Sequence, residues 1–200
     1  GTNAEYDNSS QGIQSFDSDG FTLGDNDQNN KSSQTCVAWN WLGANGTSSN
    51  TDGDITSSVS ANTTAGFSIC TFSKAASTAE TIGHGLSQAP DMYVVKSRTG
   101  AGGFDSWTIY HKSLGEGKYI LLDTNAASVS STTIWNNTAP TSSVFSMGTA
   151  WTAAEDFVAY CFAEKKGYSK FGSYIGNGNA DGTFVYTGFK PAFVMWKNSS

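Results

Sequence analysis

Ten short strings rich in aromatic and β-branched residues run along the chain, most of them bounded by turn residues such as Gly, Asn, Ser and Asp, and this pattern leaves little room for anything but β-strands. They are residues 20–23, 35–41, 67–72, 92–96, 107–110, 119–122, 144–147, 157–162, 183–186 and 193–197. In Val37-Ala38-Trp39-Asn40-Trp41 the large residues alternate, which puts Val37, Trp39 and Trp41 on one sheet face, and Val158, Tyr160 and Phe162 repeat the arrangement. Both tryptophans are therefore expected in the core. Residues 92–95 and 193–196 are apolar on both faces, as inner strands covered on each side would be. Charged residues make up only 14% of the chain, so helix-forming Glu, Lys and Arg are scarce, while 22 Gly supply turn conformations. The expected fold is all-β: an antiparallel β-sandwich, jelly-roll or lectin-like, with units in tandem.

The tandem expectation rests on internal echoes. Ala89-Pro90-Asp91-Met92-Tyr93-Val94-Val95-Lys96 returns as Lys190-Pro191-Ala192-Phe193-Val194-Met195-Trp196-Lys197. Gly20-Phe21-Thr22-Leu23-Gly24 resembles Val144-Phe145-Ser146-Met147-Gly148, and Val37-Ala38-Trp39-Asn40-Trp41 resembles Val158-Ala159-Tyr160-Cys161-Phe162. The layout that follows has residues 1–44 as the C-terminal half of a preceding unit and 45–65 as a Ser/Thr/Asn-rich linker. Residues 66–165 form a complete sandwich unit, and 168–200 the opening of a following one. On this layout both chain ends fall inside a unit, and the parent is a longer, oligomeric assembly.

The net charge of −6 and the scatter of eleven basic residues argue against a nucleic-acid partner, which needs clustered Lys and Arg. No apolar run approaches the roughly 20 residues that cross a bilayer, and Gly1 opens directly into polar sequence rather than a signal peptide. Cys36, Cys70 and Cys161 each sit in a strand-like string and are expected as buried, unbridged thiols, in keeping with assembly in a reducing cytoplasm.

No catalytic constellation is complete. His84 and His111 lack metal-ligand spacing and read as structural, no Gly-x-Ser-x-Gly elbow occurs, and the Gly-rich run at 176–182 reads as a strand-joining loop. Asp17-Ser18-Asp19, Asp25-Asn26-Asp27 and Asn50-Thr51-Asp52-Gly53-Asp54 offer the oxygen ligands calcium takes, although the last lacks the glycine and the closing acid of a calcium loop. Turn chemistry explains the same residues, so no cofactor is assigned and calcium is the one candidate metal. Glu116, Glu164 and Asp156 are the carboxylates a glycosidase would have to recruit, and nothing in the sequence singles them out. Trp107, Tyr110, Trp135 and Trp151 are candidate glycan contacts if they are exposed, and core residues otherwise.

Several longer strings carry a resemblance. They are Phe67-Ser68-Ile69-Cys70-Thr71-Phe72, Gly83-His84-Gly85-Leu86-Ser87-Gln88-Ala89-Pro90-Asp91, Val94-Val95-Lys96-Ser97-Arg98, Ile134-Trp135-Asn136-Asn137-Thr138-Ala139-Pro140-Thr141, Tyr160-Cys161-Phe162-Ala163-Glu164 and Phe171-Gly172-Ser173-Tyr174. Together with Ile13-Gln14-Ser15-Phe16-Asp17-Ser18-Asp19-Gly20-Phe21 they resemble a repeated domain of unknown function frequent in virion proteins of marine bacteriophages and in marine metagenomes. The resemblance implies a non-catalytic structural protein of the virion surface, a tail or head fibre assembled in the host cytoplasm and then extracellular. Its implied partners are other virion subunits, including further copies of itself, and a host surface glycan. The alternatives are a secreted carbohydrate-binding module and, behind it, a glycan-degrading enzyme.

Overall fold

A computed structural model describes residues 12–27, 29–100, 102 and 104–200. Two compact units divide the chain, one within residues 5–41 and the other spanning 42–200. In the first, β1 (Ile13–Phe16) and β2 (Phe21–Leu23) form an antiparallel hairpin, closed by the amide of Asp17 donating to the carbonyl of Gly20. No strand covers residues 35–41 among the described residues, and Trp39 and Trp41 are 67% and 47% exposed. The expectation of a core strand there is corrected. Alternation makes a string competent for a sheet, but it does not by itself place the string in a strand.

The second unit is built on an eight-stranded sheet. Its strands are β3 (Ser48–Asn50), β4 (Ser57–Asn62), β5 (Phe67–Lys74), β7 (Met92–Ser97), β8 (Thr108–His111), β9 (Lys118–Leu121), β10 (Val129–Ser130) and β12 (Glu155–Phe162). The order is β10-β9-β8-β7-β12-β5-β4-β3, with every pairing antiparallel. A two-stranded sheet of β6 (Glu80–Gly83) and β11 (Val144–Met147) completes the unit. The fold is all-β and antiparallel, as the sequence pattern requires. Two strands, β3 and β4, lie in the stretch read from composition as a linker. Their Ser and Asn content suits an outer, half-solvated strand as well as it suits a loop.

The main core packs one face of the large sheet against β6, β11 and the loops around them. Cys70 and Phe72 of β5, Tyr93 and Val95 of β7, and Phe157 and Ala159 of β12 supply the sheet side. Ile82, Phe145, Met147, Leu86, Trp135 and Trp151 supply the other. Tyr93 sits at the centre, its ring stacked on Tyr110 at 4.7 Å and edge-on to Trp135 at 4.9 Å, arrangements that suit the aromatic quadrupole. Residues one step along each strand point the other way and build a second cluster from Met92, Val94, Ile109 and Ile120. β7 is thus buried on both faces, which its continuous apolar run anticipates.

The echo of β7 behaves differently. Residues 193–197 carry no strand, and neither do 183–186, while Phe184, Val194 and Trp196 are 85%, 67% and 73% exposed. At 193–197 the echo is therefore one of sequence and not of backbone, whereas Phe21–Leu23 and its echo Val144–Met147 are both strands. The same string becomes a strand at β7, where β12 and β8 flank it on either side.

Candidate functional site

The outer face of the large sheet changes character along its strands. Toward one end it is the apolar cluster around Met92 and Val94, on which the half-buried Trp107 stacks against Tyr160 at 6.0 Å. Toward the other it is a floor of hydroxyls: Ser49 stands opposite Ser58, and Ser58 opposite Thr71. Ser73 donates to the carboxylate of the facing Asp156. These groups, with Arg98 just beyond β7, line an open cleft of about 470 Å³. The Arg98 amide donates to the Asp156 carbonyl at 2.8 Å, which fixes the loop after β7 beside β12. The cleft combines many hydroxyl donor-acceptors with one cation and one carboxylate. That set can bind a polyhydroxylated molecule through hydrogen bonds.

The aromatic candidates divide. Tyr110, Trp135 and Trp151 are core residues with 4%, 0% and 3% exposure, so the notion that they offer ring faces to a sugar is corrected. Their polar ends are spent internally: the Trp135 indole N–H donates to the Lys118 carbonyl and that of Trp151 to the Ile134 carbonyl, both at 3.1 Å. Of the four, Trp107 alone retains partial exposure. Sequence reasoning missed the cleft because its hydroxyl residues, all within 47–73, give no hydrophobic pattern, and only strand pairing brings the distant Arg98 and Asp156 beside them.

Histidine and carboxylate groups serve as braces. His84 is fully buried, accepts the Leu86 amide at Nδ1 and places Nε2 3.2 Å from the Thr141 carbonyl, which calls for a proton on Nε2. Burial holds its pKa below the ordinary histidine value, with the Thr141 carbonyl and Asp52 opposing. His111, also held low by burial and then by Lys112, accepts the Ser113 amide through Nδ1. Beside His84, Gly85 adopts φ +69°, and a Cβ there would lie 2.9 Å from Val59. The Gly83-to-Asp91 string is in this sense a packing motif.

Asp91, Lys112, Glu164 and Lys170 form one ionic chain. Lys112 reaches Asp91 at 2.8 Å and Glu164 at 3.2 Å, and Lys170 reaches the other Glu164 oxygen at 2.7 Å. Asp91 also accepts the Glu164 amide. The ammonium of Lys170 keeps the Glu164 carboxyl below the usual range against the opposing effect of burial, with Lys112 and the Phe171 amide assisting. This chain ties the start of β7 to the end of β12. Glu164, one of the carboxylates a glycosidase would have to recruit, is thus held in this ionic chain.

The acidic strings are likewise engaged. Asp54 accepts the Thr81 amide at 2.9 Å and the Thr81 hydroxyl at 2.8 Å, which holds its pKa low, and Asn50 donates to Asp52 at 2.9 Å. Asp17 accepts the Thr22 hydroxyl across the β1–β2 turn, and Asp27 pairs with Lys31. Among the described residues no three His, Cys, Asp or Glu side chains converge as a metal site. All three cysteines are unbridged, but Cys36 is exposed and not the buried strand residue its string suggests. No helix in the described residues is long and apolar enough to cross a membrane.

A family model described as "Domain of unknown function (DUF7483)" matches residues 1–200. The chain belongs to this family. Comparison with the curated proteins and with the solved structures gives no match. In this DUF7483 chain the residue strings that stand out in sequence occupy the junctions just described: His84 to Asp91 under β6 and β7, Ile134 to Thr141 over the aromatic core, and Tyr160 to Glu164 at the ionic chain.

Proposed function

We propose that the chain is a non-catalytic structural unit of a marine bacteriophage virion surface, part of a tail or head fibre that contacts the host. The observation that carries this reading is where the reactive groups go. His84, Asp91, Glu164 and Asp54 each brace backbone or a neighbouring ion pair. The resemblance of the longer strings to a repeated domain of phage virion proteins supplies the setting. An all-β fold with many buried aromatic contacts suits an exterior part that must stay folded outside the cell. Antibody raised against the 200-residue chain should label the exterior of intact particles from the source phage. Particles without label, with the protein recovered only in the soluble lysate, would count against the reading.

A second reading, a carbohydrate-binding module, is favoured by one feature: the hydroxyl-lined cleft with Arg98 and Asp156. Its test is a glycan array probed with the native chain and with Arg98→Ala. Binding lost in the variant supports a glycan contact at this cleft, and a blank array for both removes it.

A further inference from the structure

The open cleft on the outer face of the large sheet has a direction. Its lining comes from β3, β4, β5 and β12 and ends at Arg98, just beyond β7, and those five strands are consecutive neighbours in the sheet. All of it belongs to the unit of residues 42–200. Four strand spacings of about 4.8 Å make a trough about 19 Å long that runs across the strands rather than along them. Ser49, Ser58 and Thr71 stand opposite one another in one row. Ser73 and Asp156 face each other in the next row, two residues further along β5.

Two properties of the lining define what fits. The hydroxyls of Ser49, Ser58 and Thr71 hold no hydrogen bond among the described residues, whereas that of Ser57, on the buried face, donates to the Gly83 carbonyl at 2.7 Å. Each of the three outer hydroxyls can both donate to a ligand and accept from it. The charges of the lining cancel, because among the described residues Arg98 and Asp156 are its only ionisable side chains. A neutral floor of hydroxyls favours an uncharged, hydroxyl-rich ligand over a polyanion, which the net charge of −6 also repels.

We infer that the trough binds a straight, neutral glycan lying across the strands, a hexose chain with equatorial linkages like those of cellulose, mannan and chitin. The repeat of such a chain is close to one strand spacing, so successive sugars fall on successive strands. Their hydroxyls meet Ser49, Ser58 and Thr71, and the last sugar reaches Asp156 and Arg98. A chain with axial linkages, which coils, leaves the trough after a sugar or two. The inference rests on the carbohydrate reading of this cleft and adds to it the shape, length and charge of the sugar.

Calorimetric titration of the native 200-residue chain with cello-, manno- and chito-oligosaccharides of two to six sugars tests it. In at least one of these series affinity should rise by about tenfold or more from dimer to tetramer and then level off. Mannuronate oligomers, which match the mannose series except for the carboxylate, and coiled malto-oligosaccharides should bind about tenfold more weakly or worse at equal length. Added salt should change the affinity by less than about twofold, since no net charge is neutralised. Ser58→Tyr, an outward change at an exposed position in the middle of the trough, should abolish binding with the melting temperature unchanged. Ser49→Tyr on β3 provides a second block should the first disturb the fold. Equal affinity for dimer and hexamer, tighter binding of mannuronate, or full binding by a folded blocked chain would overturn the inference and leave the carbohydrate reading standing. Silence from every oligomer also overturns it, and the glycan array then decides whether that reading falls as well.

Discussion

Replacing Trp135 with Ala should remove a large part of the stability of the second unit. The side chain is fully buried, its ring lies 4.9 Å from Tyr93, 6.3 Å from Tyr110 and 6.2 Å from Trp151, and its N–H satisfies the Lys118 carbonyl. Deleting a buried Trp to Ala costs about 3–5 kcal/mol, and a carbonyl left without its donor adds to this by about 1 kcal/mol or more. Because this side chain makes three ring contacts and one hydrogen bond, the upper end applies, about 5 kcal/mol. Total stabilities of about 5–15 kcal/mol make that enough to leave much of the unit unfolded at room temperature. Trp135→Phe keeps a ring in place and loses the N–H and some volume, so about 1–3 kcal/mol is expected. Urea unfolding followed by far-ultraviolet circular dichroism measures both. A cost below about 1 kcal/mol for Trp135→Ala would mean that the Tyr93–Trp135 contact does not hold the two layers together.

Tyr93→Phe should be neutral or stabilising by up to about 1 kcal/mol, because the Tyr93 hydroxyl is buried with no hydrogen-bond partner, and the same melt reads it. Gly148→Ala should cost about 1–3 kcal/mol, since a Cβ there would sit 2.1 Å from the Thr133 carbonyl oxygen and 2.8 Å from the Asn136 nitrogen, and thermal denaturation gives the value. Acid should act in two windows. His84 and His111 are held neutral by the fold, so the stability they contribute is complete above the unfolded value of 6.5 and falls as pH drops below it. Glu164 is held ionised, so its contribution is present above 4.5 and is lost as pH falls through its lower folded value. Stability measured across pH 7 to 3 should show both phases, with His84→Gln flattening the first. Trp39→Ala, at an exposed position, should cost under about 1 kcal/mol in dilute solution, which chemical denaturation at micromolar concentration would check.

The sheet of the second unit was largely legible because its strands announce themselves by period-two alternation between turn residues. The span of β11 follows directly from Val144-Phe145-Ser146-Met147, and the double burial of β7 from its unbroken apolar run. Three things were hidden for physical reasons. β3 and β4 are mostly Ser and Asn, so alternation of hydrophobicity has little to alternate. Residues 35–41 and 193–197 have strand composition, yet a strand exists only where another chain segment offers a ladder. The cleft with Asp156 and Arg98 depends on which strands are neighbours, and β12 entering between β5 and β7 is a long-range fact that no local window contains.

That insertion governs how the protein can be made. β5 ends at Lys74 and β7 at Ser97, but the strand that joins them begins only at Glu155. At about 5–20 residues per second, synthesis of the intervening chain takes on the order of 4–16 s after β5 has left the ribosome. Once β8 has followed, and until β12 emerges, β5 and β7 each have one completed side and one bare edge, and both edges are shaped for the same missing sequence. Neighbouring ribosomes on one message present that sequence close by, so the order in which strands emerge leaves a nascent chain open to capturing its central strand from a sibling. Crowded translation should therefore favour exchanged dimers, and slow, dilute refolding should favour the closed unit.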